Sequence, residues 1–266
     1  MKNGTIRLSS GQMDYIRFGR GNRHLIMLPG LGDALQSVKG TALPMALMYR
    51  IFAKDFTVWM FSRKSPLATD CTTRDMARDQ AEAMDILGIR TADIVGVSMG
   101  GMIAQHLAAD FPDKVGKLVL VVTCAGSNPI LTESIGEWVS FAEKGDHTGF
   151  MESNLRRIYS WDYYRKNKWM LPVLGRLTKP KSYDRFFIQA EACLHHDAFD
   201  VLSLIQSPTL VMGGQQDNAL GGEASQEIAA RIPGAKLRMY DRWGHGLYEE
   251  EPAFNRDVLN FLLDSQ

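Results

Sequence analysis

Cysteine is scarce in this chain: three in 266 residues, at Cys71, Cys124 and Cys193. An odd, scattered set gives no disulfide framework, and none of the spacings suits a zinc site. An excess of one charge is missing too. Thirty Lys and Arg balance thirty Asp and Glu, which leaves no basic field to hold a nucleic acid. No apolar run reaches the ~18 residues needed to span a bilayer. The opening "MKNGTIRLSSGQMDY" lacks the apolar centre of a secretory leader. Repeats and low-complexity tracts are also absent. These shortages point to a soluble protein of a reducing, cytoplasmic compartment. A small molecule is the expected partner, with no nucleic acid, membrane or metal; oligomeric state has no readable signal.

What is present suits one large core, since 45% of the residues are hydrophobic. Short strand-like runs recur along the chain: "TIRLS" (Thr5–Ser9), "DYIRFG" (Asp14–Gly19), "HLIMLPG" (His24–Gly30), "FTVWMF" (Phe56–Phe61), "ADIVGV" (Ala92–Val97), "KLVLVVT" (Lys117–Thr123), "PTLVMGG" (Pro208–Gly214) and "KLRMY" (Lys236–Tyr240). The first two alternate around a Ser-Gly turn and read as a hairpin. The later ones read as parallel strands covered on both faces. Helical patterns separate them, at Thr72–Gly88, Gly221–Gly234 and Glu249–Gln266. Strand alternating with helix means an α/β protein, a mostly parallel sheet flanked by helices.

Between Ala125 and Leu204 the rhythm breaks. This stretch shows helical periodicity, no buried strand and many aromatics. It reads as an inserted helical cap, residues 125–204, on a core made of residues 1–124 and 205–266. Its rings either form a small core of their own or line a binding pocket; Trp138, Phe141, Trp161 and Tyr163 are the pocket candidates.

The chemistry gathers around "GVSMGG", Gly96 to Gly101. A Gly-x-Ser-x-Gly pattern alone is common by chance, but here a buried strand precedes the serine and a helix follows it. Such a sharp turn exposes the Ser98 hydroxyl at a helix N-terminus, and Gly96 and Gly100 allow close approach of the backbone. A serine hydroxyl needs a base oriented by a carboxylate. Of six histidines, His245 stands in the glycine-flanked loop "DRWGHGLYEEEP" between the last strand and the last helix, where open sheets collect functional groups. His24 and His106 read as packed residues; His147, His195 and His196 belong to the insert. Asp217 follows a buried strand in "PTLVMGGQQDNAL" and is the expected orienting carboxylate. Asp241 competes with it but lies close before His245. Gly30 opens a turn after "LIMLP" that can aim the Leu31 amide where the Met99 amide points, forming an oxyanion hole.

Assembled, these motifs resemble the α/β-hydrolase superfamily over essentially the whole chain, in its order Ser…Asp…His. The resemblance implies a mostly parallel eight-stranded sheet, antiparallel at its first strand pairs, with a cap after the sixth strand. It implies a serine hydrolase of a small or medium carboxylic ester, lactone or thioester that needs no cofactor, and the aromatic, Met-containing cap (Met151, Met170) points to an apolar substrate. The same triad serves C–C bond hydrolysis, perhydrolysis, lyase and acyl-transfer chemistry, or a slow-turnover ligand receptor. One departure stands out: where the family often has Asp-x-Arg-Gly-x-Gly, this chain reads Ser62-Arg63-Lys64-Ser65.

Overall fold

A computed structural model describes residues 1–264. Each of the eight strand-like runs forms a strand: β1 (Lys2–Leu8), β2 (Gly11–Gly19), β3 (Arg23–Leu28), β4 (Phe56–Phe61), β5 (Ala92–Val97), β6 (Val115–Val121), β7 (Thr209–Gly214) and β8 (Lys236–Tyr240). Among the described residues they make an eight-stranded sheet of order β1-β2-β4-β3-β5-β6-β7-β8. β1 pairs with β2 and β2 with β4 in antiparallel register; the other pairs are parallel.

Local chemistry sets the helices. α2 (Thr73–Ile86) starts at Thr72, whose hydroxyl accepts from the Asp75 N–H while Asp75 reaches back in a capping box. Gly88 ends it with φ 69°. α3 (Met99–Asp110) follows β5 directly, and α9 (Ala224–Arg231) lies between β7 and β8. These three helices pack on one face of the sheet. The opposite face is covered by α1 (Ala42–Met48), the turn Arg50–Phe52, α10 (Leu247–Glu250) and α11 (Phe254–Leu263).

Two expectations need correction. The single helix expected over Glu249–Gln266 is two, α10 and α11, because Glu251 is extended and Pro252 cannot continue a helical ladder; its last two residues lie outside the described part. β8 is not covered on both faces. It is the sheet edge, and its side chains are exposed or half-buried.

Between β6 and β7 the chain forms α4 (Pro129–Glu143), α5 (His147–Ile158), α6 (Trp161–Asn167), α7 (Leu171–Leu177) and α8 (Asp184–Leu194). This helical insert is tied to the loops at the C-terminal ends of the strands. Asn128 Nδ2 donates to the Leu220 carbonyl, the Gly246 N–H donates to the Ile158 carbonyl, and Ser160 Oγ donates to Glu250. Cys71, Cys124 and Cys193 are free and buried, and no described helix is long and apolar enough to cross a membrane.

Candidate active site

Among the described residues, only Ser98 (φ 53°, ψ −121°) and Val122 (φ 41°) are non-glycine residues with positive φ. Such backbone costs about 1–3 kcal/mol at each position and persists only when its surroundings over-determine it. They do so here. The Ser98 N–H donates to the Val121 carbonyl at 2.9 Å, and the Thr123 hydroxyl donates to the Ser98 carbonyl at 2.8 Å. Val122, between those two partners, is itself bonded to the Met212 carbonyl. The end of β6 thus clamps the turn from β5 into α3 and leaves the Ser98 side chain half-exposed.

The flanking glycines serve close packing. A Cβ on Gly100 would lie 2.0 Å from the Leu28 carbonyl oxygen, and one on Gly96 would lie 2.5 Å from the Gly100 carbonyl oxygen. α3 therefore presses against the end of β3, and this brings the loop after β3 to the serine. A Cβ on Gly30 would be 3.3 Å from Ser98 Cβ. Leu31 opens a 3-10 turn (Leu31–Ala34) and Met99 opens α3, so neither N–H has an acceptor within its own helix.

β7 and β8 are neighbours, so the loops after them are as well. The Gln215 N–H donates to the Tyr240 carbonyl and the Gln216 N–H to the Trp243 carbonyl. This pairing sets His245 Nδ1 2.8 Å from Asp217 Oδ2, with both residues buried. Asp217 Oδ1 accepts from the N–H groups of Ala219 and Leu220. An ionised carboxylate only accepts, so Nδ1 carries the ring proton and Nε2 is free to accept one. Asp241, the competing carboxylate, is exposed; its backbone carbonyl takes a hydrogen bond from Gln216.

Ser98 and His245 line one cavity of about 350 Å³, a size suited to a small ligand. Gly30 and Leu31 line it too. Of the four insert aromatics expected there, Trp138 is in its wall. Phe141 faces a separate outer groove with Glu137 and Arg156. Trp161 is 62% exposed and stacks on Tyr164; Tyr163 stacks on Tyr159, and neither lines the cavity. These rings pair with one another on the helices of the insert instead of turning inward.

Sequence reasoning missed most of the wall. Met45, Met48, Tyr49 and Phe52 line it, at the i, i+3, i+4, i+7 spacing of one helical face, together with Tyr248, Phe254 and Val258. That spacing was readable, but it looks the same as a face packed into a core. Burial pushes the Tyr49 hydroxyl up to about 12, helped by the charge of Glu249, and desolvation raises Glu249 as well.

The other histidines sit apart from the cavity. His24 accepts from Trp59 Nε1, and His147 bonds Tyr183 and Thr178. His195 is exposed, and His196 packs against His106 at 5.3 Å. The departing segment has a clear structural part. Arg63 Nη2 donates to the Pro29 carbonyl at 2.6 Å, and the Arg63 N–H donates to Asp33 Oδ2. Arg63 thereby holds the loop bearing Gly30 and Leu31.

Residues 23–252 match the model of the alpha/beta hydrolase fold family. The chain belongs to this family. It is 28% identical, over 94% of its length and 91% of the relative's, to a 2-hydroxy-6-oxononadienedioate/2-hydroxy-6-oxononatrienedioate hydrolase of Burkholderia vietnamiensis. Its fold matches the enol-lactonase of Burkholderia xenovorans LB400 with TM-score 0.83 at 23% identity, covering 98% of this chain and 100% of the other. It also matches MGS-M2, an α/β hydrolase from a Medee basin deep-sea metagenome library, with TM-score 0.87 at 22% identity, covering 99% and 98%.

Proposed function

We propose that this α/β hydrolase is a serine hydrolase that cleaves a carboxylic ester, lactone or thioester through an acyl-enzyme, without a cofactor. The observation that carries the reading is the buried 2.8 Å contact of His245 Nδ1 with Asp217 Oδ2, on the same cavity as the strained, half-exposed Ser98.

In this reading Ser98 Oγ attacks the acyl carbonyl and gives its proton to His245 Nε2. Asp217 fixes the ring and stabilises the imidazolium. The Leu31 and Met99 amides donate to the tetrahedral oxyanion, each worth about 3 kcal/mol in the transition state. The intermediate collapses as the proton passes from His245 to the leaving oxygen or sulfur, releasing the alcohol or thiol. Water, deprotonated by His245, then adds to the acyl-enzyme; collapse frees the acid and returns the proton to Ser98.

A second reading keeps these residues and changes the bond. The Burkholderia vietnamiensis relative is a hydrolase of a hydroxy-oxo dioate, and C–C bond hydrolysis by the same triad would suit such a compound. Turnover of p-nitrophenyl esters, lactones and that dioate by the wild-type and Ser98→Ala proteins tests both. The ester reading predicts ester or lactone turnover that falls at least about 10³-fold in Ser98→Ala. Unchanged turnover in the variant contradicts it, and turnover of the dioate alone favours the second reading.

A further inference from the structure

The cavity does not stay between the sheet and the insert. Val95, Met27 and Met60 lie in its wall, and they form one row across three strands, Met27 paired with Val95 on one side and with Met60 on the other. Val95 precedes Ser98 by three residues, so at ~3.3 Å per residue the row lies about 10 Å down the sheet from the nucleophile. The Met45–Phe52 stripe and, packed in the same cluster, Phe254 and Val258 of α11 form the wall that covers this row. Trp138 and Ile158 of the insert close the serine end.

The charge of the wall is equally specific. Among the described residues no lysine or arginine lines the cavity; the charged side chains that do are Asp33 and Glu249. Asp33 is already paired with Arg185. Arg63, which also touches the loop after β3, is outside the lining and donates Nη2 to the Pro29 carbonyl. The hydroxyls of Tyr49 and Tyr248 are neutral, burial having raised both. A substrate carboxylate entering this slot would lose its water, gain no cation and face Glu249.

Resting on the serine-hydrolase reading, we infer that the site takes uncharged acyl substrates whose unbranched apolar chain lies in the slot along the sheet. It rejects substrates with a carboxylate at the chain's far end, including the dioates on which the 28% identical relative acts. At about 1.25 Å of advance per bond of an extended chain, the slot holds roughly eight carbons. Affinity therefore rises roughly fourfold for each methylene added up to that length.

The test separates binding from chemistry by using Ser98→Ala protein and calorimetry. Methyl octanoate and monomethyl suberate have the same length and differ only in a terminal methyl or carboxylate. The inference expects methyl octanoate to bind at least tenfold more tightly, and more tightly than methyl butyrate. Equal or tighter binding of monomethyl suberate, or no binding of either ester, overturns it. In a second variant, Met45→Trp, the bulkier ring narrows the slot from α1, where Met45 is half-buried. The octanoate-to-butyrate affinity ratio should fall at least tenfold; an unchanged ratio in the folded variant also overturns the inference. Covalent labelling of Ser98 in the wild-type protein reports separately on the serine-hydrolase reading, so the two can fail independently.

Discussion

Arg185 Nη2 stands 2.6 Å from Asp33 Oδ2, and this pair joins helix α8 of the insert to the loop that follows β3. The Asp33 side chain is fully buried and that of Arg185 is 25% exposed. Arg185 also donates to the carbonyls of Arg63 and Lys64. The loop bearing Gly30 and Leu31 is thus held by two arginines, Arg63 from the segment after β4 and Arg185 from the insert. Losing one partner of a buried pair leaves an uncompensated charge, which costs about 3 kcal/mol or more. Arg185→Leu should lower unfolding stability by that amount in denaturant titrations. It should also lower kcat about tenfold with a smaller change in KM, because it moves the Leu31 amide and does not touch the acyl chain. A stability loss without a kcat effect would confine Arg185 to holding the fold.

Asp217 is predicted to act through the ring of His245. Asp217→Asn keeps the size of the side chain and the cavity but favours the wrong tautomer of the imidazole. Ester turnover should fall about 10³–10⁴-fold with little change in melting temperature. Asp241→Asn, on the exposed competitor, should leave turnover within about twofold, as surface substitutions usually do. The reverse ranking would move the orienting role to Asp241.

Gly100 is where packing and chemistry meet. The methyl of Gly100→Ala would lie 2.0 Å from the Leu28 carbonyl oxygen and 2.7 Å from that of Pro29. Backbone cannot swing aside as a side chain does, so β3 and α3 must separate. A stability loss of about 2–3 kcal/mol is expected, together with loss of most activity as the loop bearing Gly30 and Leu31 retreats from Ser98. Chemical denaturation and ester assays read the two effects.

Acid sensitivity should arise away from the site. His196 is buried, bonded to Thr73 and packed on His106; desolvation and that second ring lower its pKa from 6.5 to about 3. The unfolded chain takes up this proton below pH 6.5, whereas the folded protein takes it up only near pH 3. The stability this ring contributes is therefore whole above pH 6.5 and is lost as pH falls from 6.5 towards 3. Melting temperature should drop between about pH 7 and pH 4.5. In His196→Gln the drop should be shallower; an unchanged slope would place the acid sensitivity elsewhere.

The strands and the candidate triad were legible because their signals are local or ordered along the chain. A run such as "ADIVGV" announces a buried strand, and Ser98, Asp217 and His245 each lie in the loop or turn after a strand, buried for the first two and at the sheet edge for His245. Most of the wall of the cavity was not legible, Trp138 excepted. Met45, Met27, Val95 and Val258 come from segments far apart in sequence, and apolar residues facing a cavity have the same periodicity as residues facing a core. The aromatic insert drew attention to Phe141, Trp161 and Tyr163, whereas the slot runs beneath Ser98 on the α1 and α11 face. Arg63 was opaque for a related reason: its surroundings depend on Arg185, which lies 122 residues further along.

The central claim is that Ser98 is the nucleophile. Incubation of the folded protein with a fluorophosphonate, followed by peptide mass mapping, tests it most directly. The account predicts a single adduct on Ser98, formed in step with loss of ester turnover and absent from Ser98→Ala. An adduct on another residue, or persistent ester turnover without an adduct on Ser98, would contradict it.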